Sequence, residues 1–478
     1  MHEEFDDFDF DEVLELVRQF EKMIDEGSYF FFDLEELEDI IDHYFQLNDK
    51  ARSKQALNFA AVQHPSSAGI KLRQAQLLIS EDQHDQAMKV LEEVESLDPN
   101  NIDVYMTRGI IFSQKKMFGK AIEEFDKALE EADDPGEVCM NIAFEFENQG
   151  HYDKAIDYLK KALHINPENE AAIYEISFCY EFSNKYDDAV VFFNSFLDKN
   201  PYSVTTWFNL GLTYNSLELY EKAIEAYDFV IAIDESFASA YFNKANSYAN
   251  MGMYREAIEA YRQTFIFEDP EATTYYYLGE CYQKLSRFPE AIDSYMKALE
   301  VDPNLPDAWL EMGIAYDELG QVQNAIRSVE KAVALEKDNM EFLYVLAELF
   351  SKANRYADAV AAFEKVIHSD YNNSDAWLDY AELLAVNKDI DSALAVLNKA
   401  IRAYPKDTLL MYRLAAYRFN GGWIKESIRT LEKALLLDYE MRSEIDRYAP
   451  AMLEIPEVLN MIEAMKSLVV KKQRKRQQ

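Results

Sequence analysis

Cysteine, proline and glycine are all scarce in this chain. Its 478 residues include three Cys, 12 Pro and 13 Gly. Three cysteines cannot make a disulfide framework, which excludes a small disulfide-stapled fold and points to a reducing compartment. With so few turn formers, a sandwich of many short strands fits poorly, whereas helices joined by short turns fit well. Basic residues are also in short supply: 48 Lys and Arg stand against 88 Asp and Glu, a formal charge of −40. Nucleic-acid binding rests on neutralising phosphates, so the body of the chain is unsuited to it. No uncharged apolar run approaches the roughly 20 residues of a membrane span. The opening "MHEEFDDFDFDE" has neither the positive nor the apolar part of a secretion signal. The expected setting is the cytoplasm.

Catalytic signatures are missing too. The seven histidines are His2, His43, His64, His84, His151, His164 and His368. No two share the i, i+4 spacing of a metal-binding helix. No phosphate-cradling glycine loop and no nucleophile elbow occurs. Cys139, Cys179 and Cys281 fall inside apolar helical patterns, where Cys acts as a small packing residue. Neither cofactor nor metal is expected, and the chain reads as something other than an enzyme.

What the sequence has in abundance is repetition. "LGLTYNSLELYEKAIEAYDFVIAID" begins at Leu210, and one period of 34 residues later a close copy follows. Stepping by 34 from Ala223 meets only alanine, from Ala87 through Ala121, Ala155, Ala189, Ala257, Ala291, Ala325 and Ala359 to Ala393. A second register holds only small residues: Ala75, Gly109, Ala143, Ser177, Gly211, Ala245, Gly279, Gly313, Ala347, Ala381 and Ala415. A third is mostly large: Leu91, Phe125, Leu159, Phe193, Tyr227, Tyr261, Tyr295, Val329, Phe363, Leu397 and Leu431. Proline recurs near the unit's end, at Pro65, Pro99, Pro167, Pro201, Pro303 and Pro405. Leu210, Gly211 and Tyr214 share one helix face, and Tyr220, Ala223, Ile224 and Tyr227 share another. A short turn around residues 216–219 must separate them, so the unit is a helical hairpin. Small residues let its helices approach, and large ones fill the space beside them.

The repeats cover residues 34–441 as twelve units. Residues 1–33 form an acidic segment whose stripe of Val13, Leu16, Val17, Phe20, Met23 and Ile24 predicts an amphipathic capping helix ended by Gly27. The aromatics of "YFFFD" are expected to pack beneath the first unit. Residues 442–470 are expected to cap the other end, with Val458, Leu459, Ile462, Met465 and Val469 on one stripe. Residues 471–478, "KKQRKRQQ", are expected to form a basic, irregular tail.

The small–large–Ala–large–Ala–Pro pattern on this period resembles the tetratricopeptide repeat. It is clearest at Trp207, Leu210, Gly211, Tyr214, Ala223 and Tyr227, and again at Trp309, Gly313, Tyr316, Ala325 and Ala332. The resemblance implies an all-α fold, an α-solenoid whose hairpins stack into a right-handed superhelix, with the first helix of each unit lining a concave groove. It also implies a protein-interaction scaffold that holds an extended peptide. The groove positions it suggests are Tyr174, Phe208, Asn209, Asn215, Phe242, Asn243, Asn246, Asn250 and Tyr276. Asn offers a donor and an acceptor to a peptide backbone, and aromatic rings add apolar area at low entropic cost. Further along, Glu280, Asp317, Glu318, Glu348, Asp379 and Glu382 make the wall acidic, which suits a basic segment. Members that grip a C-terminal carboxylate use a lysine in the column of Phe208, Phe242 and Tyr276; this column holds no lysine, which argues against that role. Two other roles stay open. The tail from Lys471 could serve an RNA- or ribosome-associated protein, or the chain could be a regulatory subunit tethering an enzyme.

Overall fold

A computed structural model describes residues 3–27, 29–369 and 373–476, with side chains over 12–27, 29–369 and 373–466. All regular elements among them are helices. The chain divides into two compact units, Met1–Asn243 and Lys244–Gln478.

In the first unit, α1 (Glu3–Glu26) precedes α2 (Leu34–Gln46) and α3 (Lys50–Gln63). The pairing continues as α4 (Ala68–Ser80) with α5 (His84–Leu97), α6 (Ile102–Gln114) with α7 (Phe118–Glu131), and α8 (Gly136–Asn148) with α9 (Tyr152–Ile165). Then come α10 (Glu170–Phe182) with α11 (Tyr186–Leu197) and α12 (Val204–Ser216) with α13 (Tyr220–Ile233). Helix α14 (Ala238–Asn250) carries the division between the units.

In the second unit α14 is followed by α15 (Tyr254–Phe267), α16 (Ala272–Lys284) with α17 (Phe288–Val301), and α18 (Pro306–Glu318) with α19 (Val322–Leu335). The series ends with α20 (Met340–Lys352) and α21 (Tyr356–Ile367), α22 (Ser374–Val386) and α23 (Ile390–Ala403), α24 (Thr408–Asn420) and α25 (Ile424–Leu437). A short α26 (Ser443–Tyr448), flanked by two 3-10 turns, leads to α27 (Pro456–Arg476).

Three recurring devices build each hairpin. Many first helices start on a side-chain cap: Asp33, Ser67, Asn101, Asn169, Ser203, Asn339, Asn373 and Asp407 each accept from a backbone N–H of the first turn. First helices end on a left-handed residue every 34 positions, from Asn48 and Asp82 through Glu218 to Lys388 and Gly422. At Glu218 (φ 58°) the turn closes with Leu219 N–H donating to the Tyr214 carbonyl at 2.9 Å and Glu218 N–H to that of Asn215 at 2.9 Å, the double bond pattern of a helix C-terminus. Between the helices, small meets large: every alanine of the register from Ala87 to Ala393 is buried, and so are Phe125, Tyr227, Tyr261 and Tyr295.

Each second helix packs on the next first helix within its unit, as α11 does on α12 and α17 on α18. First helices of neighbouring hairpins also touch: α4 with α6 and α10 with α12 in the first unit, α20 with α22 and α22 with α24 in the second. The fold is an all-α solenoid, and in each unit first helices of neighbouring hairpins lie side by side.

The ends are closed by burial. Val17, Phe20 and Met23 of α1 cover Leu37, Ile41 and Tyr44 of the first hairpin. Of the aromatics in residues 29–32 only Phe32 is buried; Tyr29, Phe30 and Phe31 are exposed, contrary to the expected packing. The link is irregular and turns one ring inward, onto Phe20 at 6.1 Å and Phe59 at 6.2 Å. At the other end Ile445, Ala449, Met452 and Val458 pack against the cluster that includes α24 and α25, with Ile462 and Met465 partly buried and Leu459 exposed. Ser427 stands where other units have alanine; it is buried and donates to the Ala415 carbonyl at 2.7 Å. The backbone of α27 is helical to Arg476, so Lys471–Arg476 continue a helix where an irregular tail was expected. The side chains of that segment, Val469, and residues 477–478 lie outside the described residues. Among the described residues no helix is long and apolar enough to cross a membrane.

Candidate functional site

The face made by the first helices is the candidate site, and each unit presents its own part. In the first unit several side chains that the sequence assigned to a groove turn inward. Asn209 is only 2% exposed. Its Nδ2 donates to the Thr205 carbonyl of the same helix at 2.8 Å. Phe208 is buried against Tyr227 at 5.9 Å and Phe237 at 5.1 Å. Asn215 Nδ2 donates to the Tyr227 hydroxyl at 2.9 Å. Asn243 donates to the Ser239 carbonyl of its own helix at 2.9 Å, and Phe242 beside it is half-buried. Tyr174 is exposed.

In the second unit the Tyr261 hydroxyl donates to Asn246 Oδ1 at 2.5 Å. Asn250 is exposed, and with Asn246, Tyr254, Tyr261 and Glu280 it lines a small cleft. Tyr276 is half-buried, 5.9 Å from the Tyr295 ring.

Two of the amides, Asn215 and Asn246, turn inward for one reason. The large register places a phenol deep in the hairpin at Tyr227, Tyr261 and Tyr295, and a buried hydroxyl needs a partner. Asn215 and Asn246 serve the first two, and Gln283 Oε1 accepts from Tyr295 at 3.2 Å. The assignment of Asn209 as a groove ligand is corrected on its burial: its amide is held by the Thr205 carbonyl of its own helix. Asn215 and Asn246 have a partner within their own hairpins.

Two features of the same face stand out instead. On α10, Tyr174, Phe178 and Phe182 follow one another at i, i+4 and i+8 and are 42%, 39% and 57% exposed. Phe144 occupies on α8 the position of Phe178 one period earlier and is 54% exposed. Both lie four residues beyond the sequence-derived column of Met140 and Tyr174. An aromatic at a first-helix position outside the small and large registers was the available signal.

The second feature is a repeated juncture in the second unit. Residues 31 apart meet across neighbouring first helices: Glu280 with Glu311, Glu348 with Asp379, and Glu382 with Arg413. The third pair is an ion bridge of 2.7 Å, with Arg413 reaching Glu444 at 3.3 Å as well. The first two pairs set like charges together. Burial, then Glu311, holds the Glu280 carboxyl above its usual range, and burial likewise raises that of Glu311. Burial and then Asp379 push Glu348 up to about 7. Lys352 lowers Glu348 in part, but its ammonium is bonded to Asp317 at 2.5 Å. Tyr344 donates to Asp379 at 2.6 Å.

Cys139, Cys179 and Cys281 are buried and unpaired. Burial pushes the Cys281 thiol up to about 12, far from a reactive thiolate. Among the described residues no group of three His, Cys, Asp or Glu is placed to hold a metal ion.

Comparison with known proteins adds family matches. Residues 225–450 match the Cilia and flagella-associated protein 70 C-terminal domain family. Tetratricopeptide-repeat families match residues 68–101 and 102–135, 148–203, and 204–237. No curated protein matches the sequence. Among solved structures, YrrB, described as a TPR protein with an unusual peptide-binding site, is 20% identical, over 41% of this chain and 97% of that one, with a TM-score of 0.35. The Cut9–Hcn1 hetero-tetramer of APC/C is 15% identical, over 80% and 89%, with a TM-score of 0.38. The pilF protein of Pseudomonas aeruginosa is 21% identical, over 42% and 92%, with a TM-score of 0.36.

Proposed function

Because the chain is a tetratricopeptide-repeat protein, we propose that it is a non-enzymatic scaffold whose first-helix face holds an extended, basic segment of a partner protein in the cytoplasm. The observation that carries this reading is the contrast among three equivalent junctures. Arg413 supplies a guanidinium to Glu382 from within the chain. The pairs Glu280/Glu311 and Glu348/Asp379 hold two acidic side chains each and, among the described residues, have no ion bridge of their own, although Lys284 lies near the first, Gln283 donates to Glu311 at 2.5 Å, and Lys352 lies near the second. A Lys or Arg side chain from a partner would do for them what Arg413 does for the third. Such pairing desolvates charge on both sides and favours partners of matching charge pattern. Tyr276 and Tyr344 stand beside these pairs, the latter donating its hydroxyl to Asp379. The reducing setting is supported by the three unpaired cysteines.

The test is titration of a fluorescein-labelled Lys/Arg-containing decapeptide in a Gly/Ser background. Neutralising the junctures with E280Q and E348Q is expected to weaken binding about tenfold. A control that removes two exposed second-helix charges, E256Q with E259Q, is expected to change it less than about twofold. Equal loss in both variants would mean that the peptide reads only net charge, and the proposal would fail.

A further inference from the structure

We propose that α8 and α10 carry a separate apolar anchor point, which takes a large aromatic or aliphatic side chain of the partner segment next to one of its Lys or Arg residues. This rests on the reading that the first-helix face binds a protein segment, and it names the part of the segment that the first unit would recognise.

The argument begins with exposure. Tyr174, Phe178, Phe182 and Phe144 leave much of their rings in water, although the core of the same hairpins is already filled by Ile142, Ile176, Cys179 and Tyr180. These rings are therefore not needed to close the stack. Phe178 and Phe182 lie 4.3 Å apart, and both rest on Tyr152 of α9, at 6.4 and 6.1 Å. That support holds the rings in place, so little side-chain entropy is lost when a ligand covers them. A contiguous aromatic surface of this kind marks an interaction site.

Charge then selects the occupant. Glu147 of α8 and Glu175 of α10 meet beside the stripe, and the Cys179 thiol donates to Glu147 Oε1 at 3.3 Å. The carboxyl of Glu147 is raised to about 7 by burial, with Glu175 adding to the shift. This is again a juncture of like charges, here bordered by rings on both helices. A ligand that is only apolar would leave the two carboxylates uncompensated, and one that is only basic would leave the rings in water. An extended segment with a Phe, Leu or Trp adjacent to a Lys or Arg satisfies both.

Three labelled decapeptides in a Gly/Ser background provide the test, with full-length protein throughout: one with Phe-Lys-Phe, one with Ser-Lys-Ser and one with Phe-Ser-Phe. The first is expected to bind tightest. F178S with F182S should weaken it at least about tenfold while leaving the Ser-Lys-Ser peptide within about twofold. Both side chains are exposed, and circular dichroism checks that the double variant keeps its helices; Glu147→Gln gives a second, isosteric arm that should weaken only the lysine-containing peptides. Insensitivity of the Phe-Lys-Phe peptide to F178S/F182S, with the lysine peptides still responding to E280Q/E348Q, would overturn this inference and leave the proposed function standing. Loss of the E280Q/E348Q response alone would do the reverse. A concentration-dependent dimer in light scattering that F178S/F182S abolishes would make the stripe a contact between copies of this chain and would also overturn the inference.

Discussion

The ring of Tyr227 lies directly against the backbone of Gly211. A Cβ added at Gly211 would meet Tyr227 Cε1 at 2.4 Å. The same closeness recurs at Gly109 with Phe125 (2.3 Å) and Gly279 with Tyr295 (2.6 Å). Large and small are thus matched within one hairpin, across its two helices.

Gly211→Ala should therefore destabilise the protein by about 1–3 kcal/mol, because the ring is wedged and cannot withdraw. Other units set Ala against Leu at this crossing, as Ala381 with Leu397, or against a ring, as Ala245 with Tyr261, so the cost at Gly211 comes from the ring's placement in this hairpin. Combining Gly211→Ala with Tyr227→Leu should cost less than the sum of the two changes. Thermal unfolding of the three variants measures the coupling.

Asn215→Leu should also destabilise, by about 1–3 kcal/mol, since it strands the Tyr227 hydroxyl in the core. Adding Tyr227→Phe removes the stranded group and should recover most of the loss. If Asn215→Leu left the melting temperature unchanged, the amide would have no structural task.

Glu348 should link pH to stability and, if the proposed function holds, to binding. Its carboxyl sits at about 7 in the folded chain against a usual 4.5. Between those values the folded state holds a proton that the unfolded state has released, so stability falls as pH rises through this window. Melting temperature should rise on going from pH 8 to pH 6, and E348Q should blunt the rise. Discounted for the carboxyl's partial exposure, E348Q should stabilise the protein at pH 8 by about 1 kcal/mol. Binding of a basic peptide should move the other way, weakening as the pH falls below 7, because the protonated carboxyl no longer attracts a cation. Peptide titrations at the two pH values check it.

Glu218 occupies a left-handed turn at φ 58°, where four of the equivalent positions have glycine. Glu218→Gly should raise stability by about 0.5–1 kcal/mol by relieving the Cβ contact with the backbone. A lower melting temperature would show that unfolded-chain entropy outweighs the strain.

Much of the architecture was readable in advance because each unit writes its own local instructions. The alanines from Ala87 to Ala393 mark helix crossings, and the turn at Ser216–Leu219 lies between two stripes of different phase. The site was harder to read. Asn209 and Asn215 have the residue type of a peptide ligand, and their spacing alone cannot say whether the amide faces solvent, a backbone carbonyl or a buried phenol. Phe178 and Phe182 look like core residues in one dimension. The final basic stretch looked irregular by composition, yet its backbone continues α27.

The amino-acid order by itself determined the hairpin, its period and its stacking, because helix periodicity, turn conformation and small–large matching act between residues close in sequence or one unit apart. Only the tertiary structure decided which polar and aromatic side chains are taken up inside the stack and which are not. That choice depends on what the neighbouring helix offers: Tyr227 claims Asn215 and Arg413 neutralises Glu382, whereas Glu348 meets another acid and Phe182 meets water.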